Sequence, residues 1–554
     1  ELLKYVEVLR SKSGSEQNTR ISLSLYVYTK YILPIIGEKI KDQLPKNFYI
    51  SIFRKYGNEI RFFGTLDIMQ WKRELEGKDN EQRFDYFYSI AKRMNTFIKI
   101  RRSPFSNRQS VPLRIVIDSL KNPYEFSFLK DRYSAYYTIA LLQDKKNVES
   151  TNILYENPGK IKRDFKTFIH LAIEQLEQDH TLVNAEDYKY IQALRNPEQF
   201  IQYMVERLNK EEENSCSLEW CSEMEGIKYG IQYQRLGIME KEFRFFREIL
   251  REPVRTFCMI TELFPFYLQD VQSSTQNADI FLSNSDDTMY GKKLTYQLVK
   301  YVSLIMHPGL VPPTNIESCM QVAFSAKVNS GCISRQVGAV VTDKDYNVLS
   351  LGWNDVHCDK IPCIYRTLRE LQHGCNGEIY SDLELDKNSL FRKHVDGYSF
   401  SDYQKQEEIL DGLSSVYCFK AIYNEATHDR NPSNSRAIHG EQRAFYACDK
   451  ERAKGGCLFT TSSSCETCTM FANQHEIKKI YYIESYPGIA QNHVNASGKV
   501  EKRAEFILFE GAIGVAYMKL YTPNIPMKDE LQLRGIGQLI ENSYFDVGEE
   551  NGHQ

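Results

Sequence analysis

No apolar run in this chain approaches the roughly 20 residues needed to cross a bilayer as a helix, and no secretory leader is visible. A disulfide framework is missing as well. Thirteen cysteines, an odd number in a long chain without secretion features, fit free thiols in a reducing compartment, so the expected location is the cytoplasm. Neither sign of charge is in excess: 70 basic against 73 acidic residues leave −3, which excludes non-specific polyanion binding as the main role. There is no internal repeat and no low-complexity tract. There is also no G-x-x-x-x-G-K-[ST] phosphate loop, because none of the four Gly-Lys pairs is followed by Ser or Thr. What is present is an ordinary folded composition, 42% hydrophobic and 26% charged. At 554 residues it is too long for one core, so two large domains are expected.

The most informative residues are His439-Gly440-Glu441 and, downstream, Cys465-Glu466-Thr467-Cys468. One imidazole and two thiolates suit zinc, and three protein ligands leave the fourth tetrahedral position to water, as a catalytic site requires. Glu441, two residues from His439, is poorly placed to be a fourth ligand and is free to carry protons. H-x-E followed by C-x-x-C is the ligand pattern of zinc nucleobase deaminases. A stray C-x-x-C beside an unrelated histidine is the bland alternative.

The flanks read as a small α/β unit. Residues 437–450 have helical spacing, with His439 and Glu441 in the first turn. Residues 457–461 form a β-prone run, and Ser462-Ser463-Ser464 offers a capping stretch. Cys465 and Cys468 then stand at i and i+3 of the next helix. Residues 480–483 read as a further strand. Residues 337–341 and 348–352 read as a hairpin turning around Asp343 to Asn347.

These segments resemble the deoxycytidylate deaminases, through residues 307–356, IHGEQRAFYACDK, LFTTSSSCETC and IKKIYYIESYPGI. The closing GAIGVAYMKLYTPNIPMKDEL is similar to the bacterial anti-phage dCTP deaminases, in which a P-loop kinase-like domain precedes the deaminase. The fold implied is α/β throughout: an N-terminal P-loop kinase-like domain over 1–305, then a cytidine-deaminase-like α/β/α domain over 306–540. An insertion occupies 356–435 and a tail 541–554. Two departures stand out, Gly440 where Ala is usual and Ser464 where Pro precedes the first cysteine.

The first half is less informative. Leu113 to Asp118 reads as a buried strand ending in a carboxylate, followed by a turn at Lys121-Asn122-Pro123 and a helix over 124–130. That order resembles a nucleotide-kinase core with Asp118 near Mg²⁺, against the reading of Asp118 as an ordinary strand-end residue. The missing phosphate loop is expected either ahead of Glu1 or lost from a degenerate kinase. Residues 278–282 read as one more strand, and 209–215 as a solvated linker.

The insertion carries His357, Cys358, Cys363, His373, Cys375 and His394. Soft ligands at close spacing suggest a second, structural zinc, against the reading of single cysteines as small buried apolar residues. His428 and Arg436 are candidate phosphate contacts or solvated loop residues.

The resemblance implies site roles. His439, Cys465 and Cys468 would hold the catalytic zinc, and Glu441 would be general acid and base. Asn354 would bond the sugar hydroxyl or base edge, with turn closure as its alternative. The backbone of Gly440 and Ser464 would read the pyrimidine edge, and Arg335 would stand at the mouth as a phosphate contact. The implied reaction is deamination of free dCTP or dCMP, depleting dCTP in defence against phage. Two other readings are a polynucleotide base deaminase acting on tRNA or single-stranded DNA, and a nucleotide- or RNA-sensing regulatory protein. The implied partners are the substrate nucleotide and, at the N-terminal domain, a nucleotide effector or inhibitory small RNA. The implied assembly is a homo-oligomer without a membrane partner.

Overall fold

The computed structural model describes residues 27–43, 88–102, 114–142 except 119 and 121, 271–284 and 293–536, with isolated positions at 57, 60, 165 and 169. Within 293–536 the residues 357–358, 374–376, 397–413, 428–433 and 485–488 lie outside that set. The chain forms two compact units, one of residues 1–136 and 147–277, the other of 137–146 and 278–554. Among the described residues no helix is long and apolar enough to cross a membrane.

In the first unit, helix α1 (Ser89–Arg102) packs its Ala91 against Phe128 and Leu129 of α2 (Pro123–Lys130). Asn122 starts α2 by accepting the Tyr124 N–H at 3.0 Å, with Pro123 in the first turn where its missing N–H costs nothing. This is the expected turn and helix. The expected buried strand ahead of it is not formed. Residues 114–118 have no strand assignment, and Val116 is 94% exposed. Asp118 ends this stretch and is exposed. Much of the expected kinase-like unit, including 143–164 and 170–270, falls outside the described residues.

The second unit contains two sheets. Strand β1 (Ile139–Leu142) pairs in parallel with β2 (Ile280–Ser283), and β2 pairs antiparallel with a short strand near the C-terminus, Gly511–Ala512. The larger sheet uses β3 (Gly338–Thr342), β4 (Val348–Trp353), β5 (Cys457–Ser462), β6 (Lys479–Glu484) and β7 (Glu505–Leu508), in the order β4-β3-β5-β6-β7. β3 is antiparallel to both neighbours, while β5, β6 and β7 run parallel. The β3–β4 turn closes as expected, with Asp343 Oδ1 accepting the N–H groups of Asp345 and Asn347, each at 2.9 Å.

Helix α3 (Lys293–Met306) covers the small sheet through Tyr301 and Leu304. Helix α4 (Asn315–Lys327), opened by a Thr314/Glu317 capping box, covers one face of the large sheet. The insertion contributes α5 (Leu368–His373), α6 (Asp382–Leu385), α7 (Leu390–Asp396) and α8 (Phe419–Ala426). Helices α9 (Gly440–Tyr446) and α10 (Glu466–Gln474) cover the opposite face of the large sheet. Strand alternation sorts the core. Val340 and Phe459 meet Met320 and Ala323 of α4, while Ala339, Val341 and Leu458 meet Ala444 and Ala472.

The three layers are drawn close by two glycines. A Cβ at Gly338 would lie 2.0 Å from the Ala323 carbonyl of α4, and one at Gly352 would lie 2.3 Å from the Gly440 carbonyl. The insertion leaves and rejoins the sheet at one point, where Ile438 N donates to Asp355 O at 3.0 Å. It holds its own small core around Leu371, Phe391 and Tyr417. Arg366 is fully buried there and paired with Glu384, whose other oxygen accepts from Tyr417 Oη at 2.7 Å.

Candidate active site

His439 is the N-cap of α9, not a residue of its first turn, in extended conformation (φ −76°, ψ 150°). Its backbone N–H is satisfied by Gln442 Oε1 at 3.1 Å. The helix stops at Tyr446, short of the expected Lys450, because Asp449 caps a separate turn by accepting the Arg452 N–H at 3.0 Å. Cys465 is likewise the N-cap of α10, so the preceding serines are not the cap, and Cys468 follows one turn on and is fully buried. Two helix starts therefore supply the group, His439 and Cys465 from their cap positions and Cys468 from the first turn of α10.

Among the described residues, one group of three such side chains is gathered closely enough to hold a metal ion. It comprises His439, Cys465 and Cys468, whose ligand atoms all lie within 4.8 Å of one another. His439 Nδ1 is 3.3 Å from the Sγ of Cys465 and 3.3 Å from that of Cys468. Ligands about 2.0–2.3 Å from a tetrahedral zinc stand roughly 3.5–3.8 Å apart, so this donor set and spacing fit zinc after a small expansion.

Charge within the group is uneven. Cys465 is lowered to about 4 by the hydrogen bond from the Cys468 thiol, with His439 adding to this against the cost of burial. Cys468 is raised by that same shared proton and by burial, and His439 is raised chiefly by its bond to Cys465. Glu441 points into the same region against Cys468. It is 4% exposed, and burial pushes its carboxyl up to about 7.

Beside the start of α9 stands the loop between α4 and β3. Asn354 Oδ1 accepts from Val337 N at 2.6 Å and Ser330 Oγ at 3.0 Å, and its Nδ2 donates to Arg335 O at 2.7 Å. These bonds tie the loop down. The same residue touches the metal helix, since a Cβ on Gly440 would stand 3.3 Å from Asn354 N and 3.0 Å from Val337 O. Arg335 reaches across to Ser462 Oγ at 3.3 Å and is ion-paired with Glu484. Ser464 is 2% exposed, and its Oγ is buried without a hydrogen-bond partner.

Of the expected second set, Cys363 is half-buried, with its thiol raised first by burial and then by the nearby Cys418 and Cys332. Neither of those two was in the expected set. His357, Cys358, Cys375 and His428 lie outside the described residues, as does the His373 side chain. His394 instead approaches Glu425 at 3.8 Å. Arg436 makes one long contact, 3.5 Å to the Ile361 carbonyl. Sequence reasoning also missed Glu484 and Ser330, which touch the site residues only through the tertiary fold.

Residues 415–484 match the profile of the cytidine and deoxycytidylate deaminase zinc-binding region. The chain is 26% identical over 174 residues to the deoxycytidylate deaminase of Enterobacteria phage T2, covering 30% of this chain and 78% of that protein. It is 24% identical over 169 residues to the deoxycytidylate deaminase of Enterobacteria phage T4, covering 30% and 76%. Two solved structures of the dCMP deaminase from cyanophage S-TIM5 are also similar. The apo form is 18% identical, covering 36% of this chain and 100% of that one, with a TM-score of 0.20. The complex with dCMP and dUMP is 19% identical, covering 36% and 99%, with a TM-score of 0.21.

Proposed function

We propose that this protein hydrolytically deaminates the cytosine ring of a free deoxycytidine nucleotide, dCMP or dCTP, giving the uracil nucleotide and ammonia. The observation that carries this reading is the convergence of His439, Cys465 and Cys468 beside a buried carboxyl, Glu441, poised near neutrality. The matched deaminase zinc-binding region and the phage deoxycytidylate deaminases point to the same chemistry and to a deoxynucleotide substrate.

His439, Cys465 and Cys468 would hold one zinc, which supplies a Lewis acid that brings the pKa of water toward neutrality. Glu441 takes a proton from the attacking water and delivers it to N3 of the ring, then assists the departure of ammonia from C4. The backbone of Gly440 and Ser464 faces the pyrimidine edge. Asn354 would bond the sugar hydroxyl or the base edge while holding the 330–337 loop in place. Arg335 stands at the mouth.

A second, structural zinc is proposed at Cys363, drawing on His357, Cys358, His373 or Cys375, and supported by the soft-ligand chemistry and close sequence spacing of those residues. We also assign residues 1–305 a regulatory role, as a kinase-like module that responds to nucleotide or small RNA. Depletion of dCTP in a phage-infected cell is the biological setting proposed. The test is to incubate the zinc-loaded full chain with dCMP, dCTP, CTP and single-stranded oligonucleotides and to measure ammonia and uracil products. Release from the free deoxynucleotides supports the reading, and release from oligonucleotides alone replaces it with polynucleotide editing.

A further inference from the structure

Glu484 ends β6, two strands away from the hairpin that carries Asn354, yet it bonds both to the serine run ahead of Cys465 and to the 330–337 loop. Its carbonyl accepts the Ser463 N–H at 2.7 Å, two residues before Cys465. Its carboxylate is paired with the Arg335 guanidinium, which also donates to Ser462 Oγ at 3.3 Å. The carbonyl of Arg335 in turn accepts from Asn354 Nδ2 at 2.7 Å, and Asn354 lies against Gly440, between His439 and Glu441. A continuous chain of contacts therefore runs from Glu484 through Arg335 and Asn354 to the residue flanked by the metal ligand and the proton shuttle. Only 12% of the Glu484 side chain is exposed, so this ion pair is partly shielded from water and holds its geometry better than a surface pair.

We propose that Glu484 is a positioning residue that holds the 330–337 loop in place beside the metal-ligand group through Arg335, whose guanidinium serves this geometry and not phosphate recognition. The proposal rests on the deaminase reading given above. An arginine that recognised phosphate would keep its fork free for it. Here both terminal nitrogens already donate within the protein, one to a carboxylate and the other to a hydroxyl. Loss of either partner lets the 330–337 loop drift, and displacements of about 1 Å at a reacting centre cost up to roughly 100-fold in rate.

The experiment uses the zinc-loaded full chain with Glu484→Gln, Arg335→Gln, the double variant and Arg335→Lys, assayed on deoxycytidine, dCMP and dCTP. Glu484→Gln and Arg335→Gln should each lower kcat/KM by about 10- to 100-fold, by the same factor on all three compounds, with zinc content unchanged. The double variant should be no worse than either single one, because both remove the same contact. Arg335→Lys should recover part of the loss. A loss confined to phosphorylated substrates in Arg335→Gln, or additive losses in the double variant, would overturn the proposal. Amide hydrogen exchange over 330–337, measured without substrate, separates this proposal from the assignment of function. Faster exchange in both single variants is expected, and unchanged exchange overturns the positioning role even where no substrate is turned over. Faster exchange in a protein that deaminates none of the three compounds would leave the positioning role standing and remove the deaminase reading.

Discussion

Cys468 Sγ lies 3.3 Å from His439 Nδ1 although 29 residues separate them, because β5 carries the chain back across the sheet between two helix starts. Replacing Cys468 or Cys465 with serine should remove the metal from this site. Elemental analysis of the purified variants checks it, and a full zinc complement in either would reject the ligand set.

Zinc stoichiometry of the unmodified protein is a separate prediction. Two zinc ions per chain are expected if Cys363 binds a structural ion with ligands from His357, Cys358, His373 or Cys375, with one lost on Cys363→Ser while the catalytic one stays. A content of one per chain removes the second site.

Gly352→Ala should be strongly destabilising. The added methyl would meet the Gly440 carbonyl at 2.3 Å and the Ala444 N at 2.5 Å, both backbone atoms of the helix that carries Glu441. Overpacking of this kind costs about 1–3 kcal/mol. Thermal unfolding should show a lower Tm, and a Tm equal to that of the parent protein would contradict the close packing of β4 on α9.

Acid stability should depend on Glu317. Burial raises its carboxyl, but bonds from Lys300 Nζ, Tyr521 Oη, the Thr314 backbone and Tyr301 Oη outweigh this and lower it to about 2. A carboxyl lowered on folding contributes stability above its usual 4.5, and that contribution is lost as pH falls toward 2. Glu317→Gln should therefore flatten the fall in Tm between pH 5 and pH 2, while lowering stability at pH 7. An unchanged pH profile in the variant would show that other carboxyls govern acid unfolding.

The metal site was legible because its spacing is local. His439 to Glu441 and Cys465 to Cys468 each lie within one helical turn, and the β-prone run between them can be read from alternation. The hairpin around Asp343 was equally clear from its turn residues. The helix boundaries were not, because periodicity continues through Ala447 and only Asp449 capping a new turn ends α9. The run 113–118 misled because four apolar residues, three of them β-branched, have strand propensity wherever they lie, and pairing depends on a neighbour that local sequence does not announce. Glu484 was invisible for a related reason. It is 149 residues from Arg335, and a glutamate at a strand end carries no mark of its partner.

The central claim is that Glu441 moves protons for a zinc-dependent deamination without holding the metal, and Glu441→Gln tests it most directly. The variant and the parent protein, with matched zinc content by elemental analysis, are assayed for ammonia release from dCMP and dCTP. The expected result is rapid conversion by the parent and a loss of about 100- to 10,000-fold in the variant, with zinc retained. Undiminished conversion by Glu441→Gln, or loss of zinc with the glutamate, would contradict the account.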